Sequence, residues 1–546
     1  MKLKKNTFIQ GAFIATLGIV ISKILGIIYV IPFYAIIGDQ GGALYGYAYN
    51  IYSIFLGISQ AGLPLAMSKL ISEYNTLGYY DTKERVYKVG RTFLNIVGVV
   101  CFLVLFIFAP QISHQIIGNV TDGNTPEDIT FVIRLISTAI LVVPILSVSR
   151  GYLQGHKFIS PTPISQVIEQ VVRVLIIVAG SFVMIKVFHL PLRLAVGCAV
   201  FAATIGALCS YLYIHHKIKT NKDVLIKEST VKEPKITNSE ILKQLIIYAV
   251  PFVMIDLFRG FFNSVDVMTL VKTLVNNFGY LTKDAETVMS VISTWGLKLN
   301  MIIISIVTGM MTSLIPNLTS SFVKKDMKDV SNKINQTIQV ILAIALPMAI
   351  GLSFVTPLVW RVFYGPSIYG PITYRYLVFV AFATTLFTSF TTILQLLKQY
   401  KMVFISLIVG FLTKLSLNIP LMYLFNELGI YPFYGAITAT ILGFSISALI
   451  SAIYINRKFH ISYMSTIKEL KNIVIGVALM LVSLFTLELV FPLTIKSRLL
   501  SLFFAGVYGV VGGGVYLFYA YKSGLLERIF GKSLFEKLKN RLKRKK

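Results

Sequence analysis

The sequence predicts an all-α integral membrane protein with about fourteen transmembrane helices, arranged as two six-helix lobes and two further C-terminal helices. Three observations predict it. Over 546 residues, 55% are hydrophobic and only 14% charged, where a soluble domain carries about 25% charged residues. The mean hydropathy is +0.76, which leaves too little polar surface for a chain in water. Lysine and arginine, finally, concentrate in alternate loops between apolar runs of spanning length.

Taken in order, runs long enough to span a bilayer lie near residues 8–37, 44–71, 89–110, 129–149, 161–188, 192–214 and 241–273. They continue near 286–322, 332–358, 373–397, 402–425, 431–455, 470–492 and 498–521. Several exceed the minimum, as tilted helices do. The basic start Lys2, Lys4 and Lys5 precedes an apolar run too long for a signal-peptide core, so the first run reads as a retained helix.

Charge sets the orientation. Basic residues mark the N-terminus and the loops holding Lys83, Arg85 and Lys88, then Arg150 and Lys157, then six lysines between Lys217 and Lys235. They recur at Lys324, Lys325 and Lys328, at Lys398 and Lys401, and at Arg457, Lys458 and Lys468. Residues 38–45, 111–128 and 426–430 hold none; Lys283, Arg361, Lys496 and Arg498 are the exceptions on that side. An even number of spans with both termini cytoplasmic fits this alternation. It also divides the chain: 1–216 as an N-lobe of helices 1–6, 217–240 as a cytoplasmic linker, 241–456 as a C-lobe of helices 7–12, and 457–521 as helices 13–14. Residues 522–546 follow as a basic tail, with Leu525, Ile529, Leu534, Leu538 and Leu542 on one helical face and seven lysines and arginines from Lys537 onward around it. Such a tail suits an anionic leaflet and accounts for part of the +28 formal charge without nucleic acid; a solvated topogenic tail is the plainer alternative.

Two pairs of segments suggest an internal repeat. Gly62–Tyr74 resembles Gly309–Phe322, and Leu153–Lys157 resembles Leu397–Lys401, both about 245–250 residues apart. Parallel repeats of this kind are a common transporter plan.

Within the spans the polar residues fall in stripes. Asp256, Arg259, Asn263 and Asp266 lie within about 80° of one helix face. Gln166, Glu169, Gln170 and Arg173 share another, with Glu169 and Arg173 at the favourable i, i+4 spacing. Thr294, Lys298, Ser305 and Thr312 form a third, Lys23 shares the face of Thr16, and Lys414 stands in helix 11. Ionisable groups at membrane depth are costly and tend to face a bundle interior or a wet cavity. Lys23, Lys298, Arg259, Arg173 and Lys414 make a cationic interior suited to phosphate or pyrophosphate, with Glu169, Asp256 and Asp266 as charge partners or coupling groups. The alternative for Glu169–Arg173 is an internal pair that orients helices, and Arg150 and Lys69 read as side chains snorkelling at the cytoplasmic edge.

Enzymatic signals are lacking. There is no Gly-x-x-x-x-Gly-Lys-Ser/Thr and no His-Glu-x-x-His. Cys101, Cys198 and Cys209 have no metal-site spacing, and the six histidines are scattered over loops and segment ends. The reading is of a transporter without cofactor or metal; if transport is active, its energy comes from an ion gradient, the membrane potential or substrate mass action.

Ser22-Lys-Ile-Leu-Gly26, the Gly62–Tyr74 segment and Pro161-Thr-Pro-Ile-Ser-Gln-Val-Ile-Glu-Gln-Val-Val-Arg-Val174 carry a resemblance. Over nearly its whole length the chain resembles the multidrug/oligosaccharidyl-lipid/polysaccharide exporter superfamily. More closely it resembles the Gram-positive polysaccharide-biosynthesis branch, with its MurJ-type lipid II flippases and a sporulation relative. The resemblance implies a MATE/MurJ-like pair of lobes around a cationic cavity, working by alternating access. It implies an undecaprenyl-pyrophosphate-linked peptidoglycan precursor as cargo, a bacterial inner-membrane location, a monomer, and cell-wall synthesis proteins as candidate partners. Lys23 matches a cavity arginine of the family and Lys298 lies close to another; the chain departs in having lysine at both and Tyr29 at a second basic position. The alternatives are a flippase for another undecaprenyl-linked unit, a sporulation-specific relative, a cation-coupled multidrug antiporter of the same fold, or a membrane scaffold.

Overall fold

A computed structural model of the chain describes residues 25–26, 28–60, 63–118, 123–156, 158, 160–226, 233 and 235–530. Its first compact unit runs to Trp295 and its second begins at Gly296. The described residues are helical throughout their regular structure, as a bilayer requires, since backbone groups in lipid must be satisfied within the segment. Eleven helices among them are long and apolar enough to cross a membrane. Of the remaining predicted spans, 8–37 lies largely outside the described residues, 44–71 is divided at residues 61–62, also outside them, and 241–273 lies within the helix Asn238–Phe278, which is not among the eleven.

The first unit comprises α1 (Val30–Gln60), α2 (Leu63–Leu77), α3 (Tyr80–Ile107), α4 (Ala109–Ile117), α5 (Pro126–Ser137) and α6 (Ala139–Gly155). It continues with α7 (Pro161–Leu175), α8 (Leu192–Thr220), α9 (Lys222–Leu225), α10 (Asn238–Phe278) and α11 (Thr282–Ser290). Two π-turns, Ile176–Gly180 and Val183–Val187, extend α7 over the span predicted at 161–188. A third, Val291–Trp295, closes the unit. The kink in α1 falls at Gly38 (φ 63°, ψ −163°), a conformation that excludes a side chain without strain. Glycine also lets α10 and the third π-turn close on α1. A Cβ at Gly260 would stand 2.9 Å from Ile54, and one at Gly46 would stand 2.6 Å from the Thr294 hydroxyl. Trp295 meets Phe33 and Tyr34 edge-on, at 5.9 and 5.2 Å between ring centroids.

At the basic end of this unit, the segment after α8 is strapped to α3. Glu233 accepts the backbone N–H groups of Asp81 and Thr82 at 2.9 and 2.7 Å, so a carboxylate caps the α3 N-terminus. Lys83, fully buried, donates to the Leu225 carbonyl at 2.6 Å.

The second unit comprises α12 (Gly296–Val323), α13 (Met327–Phe354), α14 (Thr356–Tyr364), α15 (Tyr369–Leu396), α16 (Tyr400–Glu427) and α17 (Phe433–Phe459). The C-terminal pair α18 (Met464–Val490) and α19 (Arg498–Lys522) and the short α20 (Leu525–Phe530) complete it. The pair packs on α13, where the Tyr516 hydroxyl donates to the Ala343 carbonyl at 2.7 Å. An apolar cavity of about 410 Å³ lies among these helices, lined by Pro347, Met348, Met480, Gly509, Gly512 and Tyr516 among others. The outward faces of α18 and α19 present Val482, Leu489, Leu499 and Val510, which suits hydrocarbon and not water.

Parts of the two units repeat one another. In each, a long helix is followed by a nine-residue helix with proline in its first turn and a left-handed glycine at its end: α3–α4 to Gly118, and α13–α14 to Gly365. Across this junction the offset is 247 residues, from 109 to 356 and from 118 to 365. Likewise the Ser210 hydroxyl donates to the Ser165 carbonyl at 2.9 Å between α8 and α7, and the Ser447 hydroxyl to the Ser406 carbonyl at 2.7 Å between α17 and α16. That register places Arg173 of α7 and Lys414 of α16 at corresponding positions, each 8 residues beyond its serine.

Candidate functional site

The polar interior of the first unit is built on α6, α7 and α8. Glu169 lies on α7 and divides its carboxylate between two cations: Arg173 at 2.7 Å on one oxygen and Arg150 at 2.9 Å on the other. The Arg150 guanidinium also donates to the Ser165 and Ser210 hydroxyls, at 2.8 and 2.9 Å, and so ties three helices. These side chains are only 13–19% exposed. Two guanidiniums on one carboxylate leave the cluster one positive charge in excess. The Arg173 Nε is buried without a hydrogen-bond partner, a donor left for an incoming oxygen. Tyr45, Tyr49 and Tyr52 of α1 lie within electrostatic reach of Arg173. Their rings form a run, Tyr45 stacked on Tyr49 at 5.1 Å and Tyr49 edge-on to Tyr52 at 5.6 Å. A lone cationic donor beside phenols suits a phosphate or a sugar hydroxyl.

This corrects the reading of Arg150. It does not snorkel at an edge; it is a buried partner of Glu169, because folding brings Ser165 and Ser210 to it from two other helices. The predicted i, i+4 pair Glu169–Arg173 is present.

Lys414 is placed otherwise. Its side chain is 0% exposed, and its ammonium donates to Asn418 Oδ1 at 2.8 Å, the Ala436 carbonyl at 2.9 Å and the Thr440 hydroxyl at 2.6 Å. The cation ties α16 to α17 and in this conformation presents no donor to a cavity. Where Arg173 has Glu169 one turn before it, Lys414 has Gly410, and a Cβ there would stand 2.6 Å from the Gly443 carbonyl. The same tight approach occurs in the first unit, where a Cβ at Gly206 would stand 2.8 Å from the Glu169 carbonyl.

Lys298 is half-buried in α12 and Asp266 is buried in α10. Asp256 and Arg259 lie on the α10 backbone, but their side chains, like the whole of Lys23, fall outside the described residues. Among the described residues no group of histidine, cysteine and carboxylate side chains is arranged to hold a metal. Sequence reasoning passed over Glu286 and Asn124, which are buried together at the end of the unit away from the basic loops. No periodicity marks them, since their contact joins α11 to a loop 162 residues away.

Two units with repeated helix–glycine junctions, apolar outer faces and a buried, net-cationic cluster define a multi-pass transporter of the exporter superfamily's architecture. Comparison with known proteins agrees. The family described as polysaccharide biosynthesis protein matches residues 8–322. The chain is 34% identical over 539 residues to the lipid II flippase MurJ of Bacillus subtilis (strain 168), covering 97% of this chain and 98% of that one. It is 24% identical over 378 residues to stage V sporulation protein B of the same organism, with 67% and 68% covered. Among solved structures, a lipid II flippase MurJ in an inward closed conformation superposes with a TM-score of 0.69 at 15% identity, covering 94% of this chain and 99% of that one. An inward-facing multidrug resistance MATE family transporter gives 0.62 at 15% identity, with 82% and 98% covered. The chain belongs to the polysaccharide biosynthesis protein family, in the branch that includes the MurJ flippase of Bacillus subtilis.

Proposed function

We propose that this protein flips a lipid-linked peptidoglycan precursor, lipid II, from the cytoplasmic to the outer leaflet of the bacterial membrane by alternating access. The observation that carries the reading is likeness to a lipid II flippase across 97% of the chain, which takes in both units and the C-terminal pair. The excess positive charge of the Arg150–Glu169–Arg173 cluster suits a pyrophosphate better than a cationic drug. The drug-transporter fold also accounts for less of the chain, 82% against 94%.

In this reading Lys23, Lys298, Arg259 and Arg173 hold the anionic headgroup, with Glu169, Asp256 and Asp266 as charge partners. The protein acts as a monomer with both termini in the cytoplasm, and its tail rests on anionic lipid. Its drive is the membrane potential or an ion gradient.

The test is complementation of a strain in which lipid II flipping is conditionally depleted. The protein should restore growth, and Lys23→Ala and Lys298→Ala should each abolish rescue while inserting at normal levels. Rescue by both variants would remove those lysines from the site. Failure of the unaltered, inserted protein to rescue would remove lipid II as the cargo.

A further inference from the structure

Glu286 sits on α11 at the end of the first unit that the charge pattern places outside the cell, and its side chain is 0% exposed. One carboxylate oxygen accepts both the backbone N–H of Asn124, at 3.0 Å, and its side-chain Nδ2, at 2.8 Å. The same Nδ2 donates to the Gln40 carbonyl at 3.0 Å, two residues beyond the Gly38 kink. One carboxylate thus pins three segments: the kink of α1, the loop before α5, and α11. The approach is close enough that a Cβ at Gly123 would stand 2.9 Å from the carboxylate. The second oxygen, Oε2, is buried without a hydrogen-bond partner, and so is the Tyr47 hydroxyl of α1, which lies within electrostatic reach of this carboxylate.

A buried carboxylate normally has every oxygen hydrogen-bonded or paired with a cation. Here the pinned oxygen is satisfied and the other is not, so a proton arriving at Oε2 would meet no competitor. The neighbouring titratable groups reinforce this. Asp128 acts on Glu286 as a like charge, and Asp39 of α1 lies on the adjoining α11 turn through Ser290. The cations on this side are engaged or set back: Arg193 faces Asp128 at 3.7 Å, Lys272 of α10 packs against Gly118, and Lys283 is exposed. Asp122 lies outside the described residues.

We propose that Glu286 is a proton-binding site that works as a latch. Charged, it holds Asn124 and through it the α1 kink. Protonated at Oε2, it loses the charge that strengthens both Asn124 bonds, and the loop separates from α11. Charge-assisted hydrogen bonds are roughly twice as strong as neutral ones, so neutralisation weakens the tie without removing its geometry. The site would make opening of this end responsive to external acidity. It rests on the geometry of the first unit and not on the cargo, so its failure leaves the lipid II reading intact.

The test is amide hydrogen exchange of the full-length protein in vesicles of phosphatidylethanolamine and phosphatidylglycerol, read at the peptide containing Asn124 and corrected for intrinsic rates. Protection there should fall about tenfold between pH 7.5 and pH 5, a change of about 1.4 kcal/mol in opening. Glu286→Gln should show the low protection at both pH values while α5 and α8 keep theirs. Asp39→Asn should retain the wild-type response. Flat protection at Asn124 in the wild type overturns the proposal whether or not any variant folds. So does a Glu286→Gln protein that keeps the pH response, or an Asp39→Asn protein that loses it.

Discussion

Removing the charge of Glu169 should destabilise the first unit more than removing either cation it serves. In Glu169→Gln the Arg173 and Arg150 guanidiniums, bonded to its oxygens at 2.7 and 2.9 Å, lose their shared counter-charge together. Stranding one partner of a fully buried pair costs about 3–5 kcal/mol, and an exposed pair contributes about 0–1 kcal/mol. With side chains 13–19% exposed, this cluster belongs nearer the buried limit, but water reaches part of it. Arg150 also keeps its two serine hydroxyls. A cost of about 2–3 kcal/mol follows for Glu169→Gln. Arg173→Gln leaves the Glu169–Arg150 pair intact and should cost about 1 kcal/mol. The double variant should cost less than the sum, since one of the two stranded guanidiniums is then absent. A double-mutant cycle on unfolding in detergent micelles measures the coupling. A cost for Glu169→Gln within about 0.5 kcal/mol of zero, or strict additivity, would refute a shared buried carboxylate.

Three further predictions concern helix packing. Gly206→Ala and Gly410→Ala each push a methyl into a facing helix backbone, at 2.8 and 2.6 Å, and should lower unfolding stability by about 1–3 kcal/mol. Gly506→Ala, with nothing within 4 Å of the new methyl, should be neutral or stabilising by up to about 1 kcal/mol in the same unfolding assay. Lys414→Met should remove the cation at similar volume and take its charge-assisted hydrogen bonds from Asn418, Ala436 and Thr440, costing about 2–4 kcal/mol. Thermal unfolding in micelles reads it, and a stable Lys414→Met protein would show that the ammonium is not part of the α16–α17 packing.

The spans were legible because a bilayer imposes one rule over some twenty residues at a time, and apolar runs record it. The runs read at 402–425 and 498–521 became α16 (Tyr400–Glu427) and α19 (Arg498–Lys522). Shorter features escaped. The nine-residue α4 and α14 are below spanning length, and the run read at 129–149 contains two helices, α5 and α6, that meet at Thr138. The duplication was visible only as two weak motif pairs; the Ser165–Ser210 and Ser406–Ser447 bonds give its register in space.

By itself the sequence determined a membrane protein, the positions of most of its helices and the local pair Glu169–Arg173, since composition, run length and i, i+4 spacing are properties of the chain along its own axis. Only the tertiary structure decided which charges meet across helices. It took Arg150 from an edge to the Glu169 carboxylate, enclosed Lys414 among neutral oxygens of α16 and α17, and set Glu286 on Asn124. The physical reason is that Coulomb and hydrogen-bond energies depend on separations of a few ångströms. Those separations come from where glycines let helices close, and linear spacing does not record them.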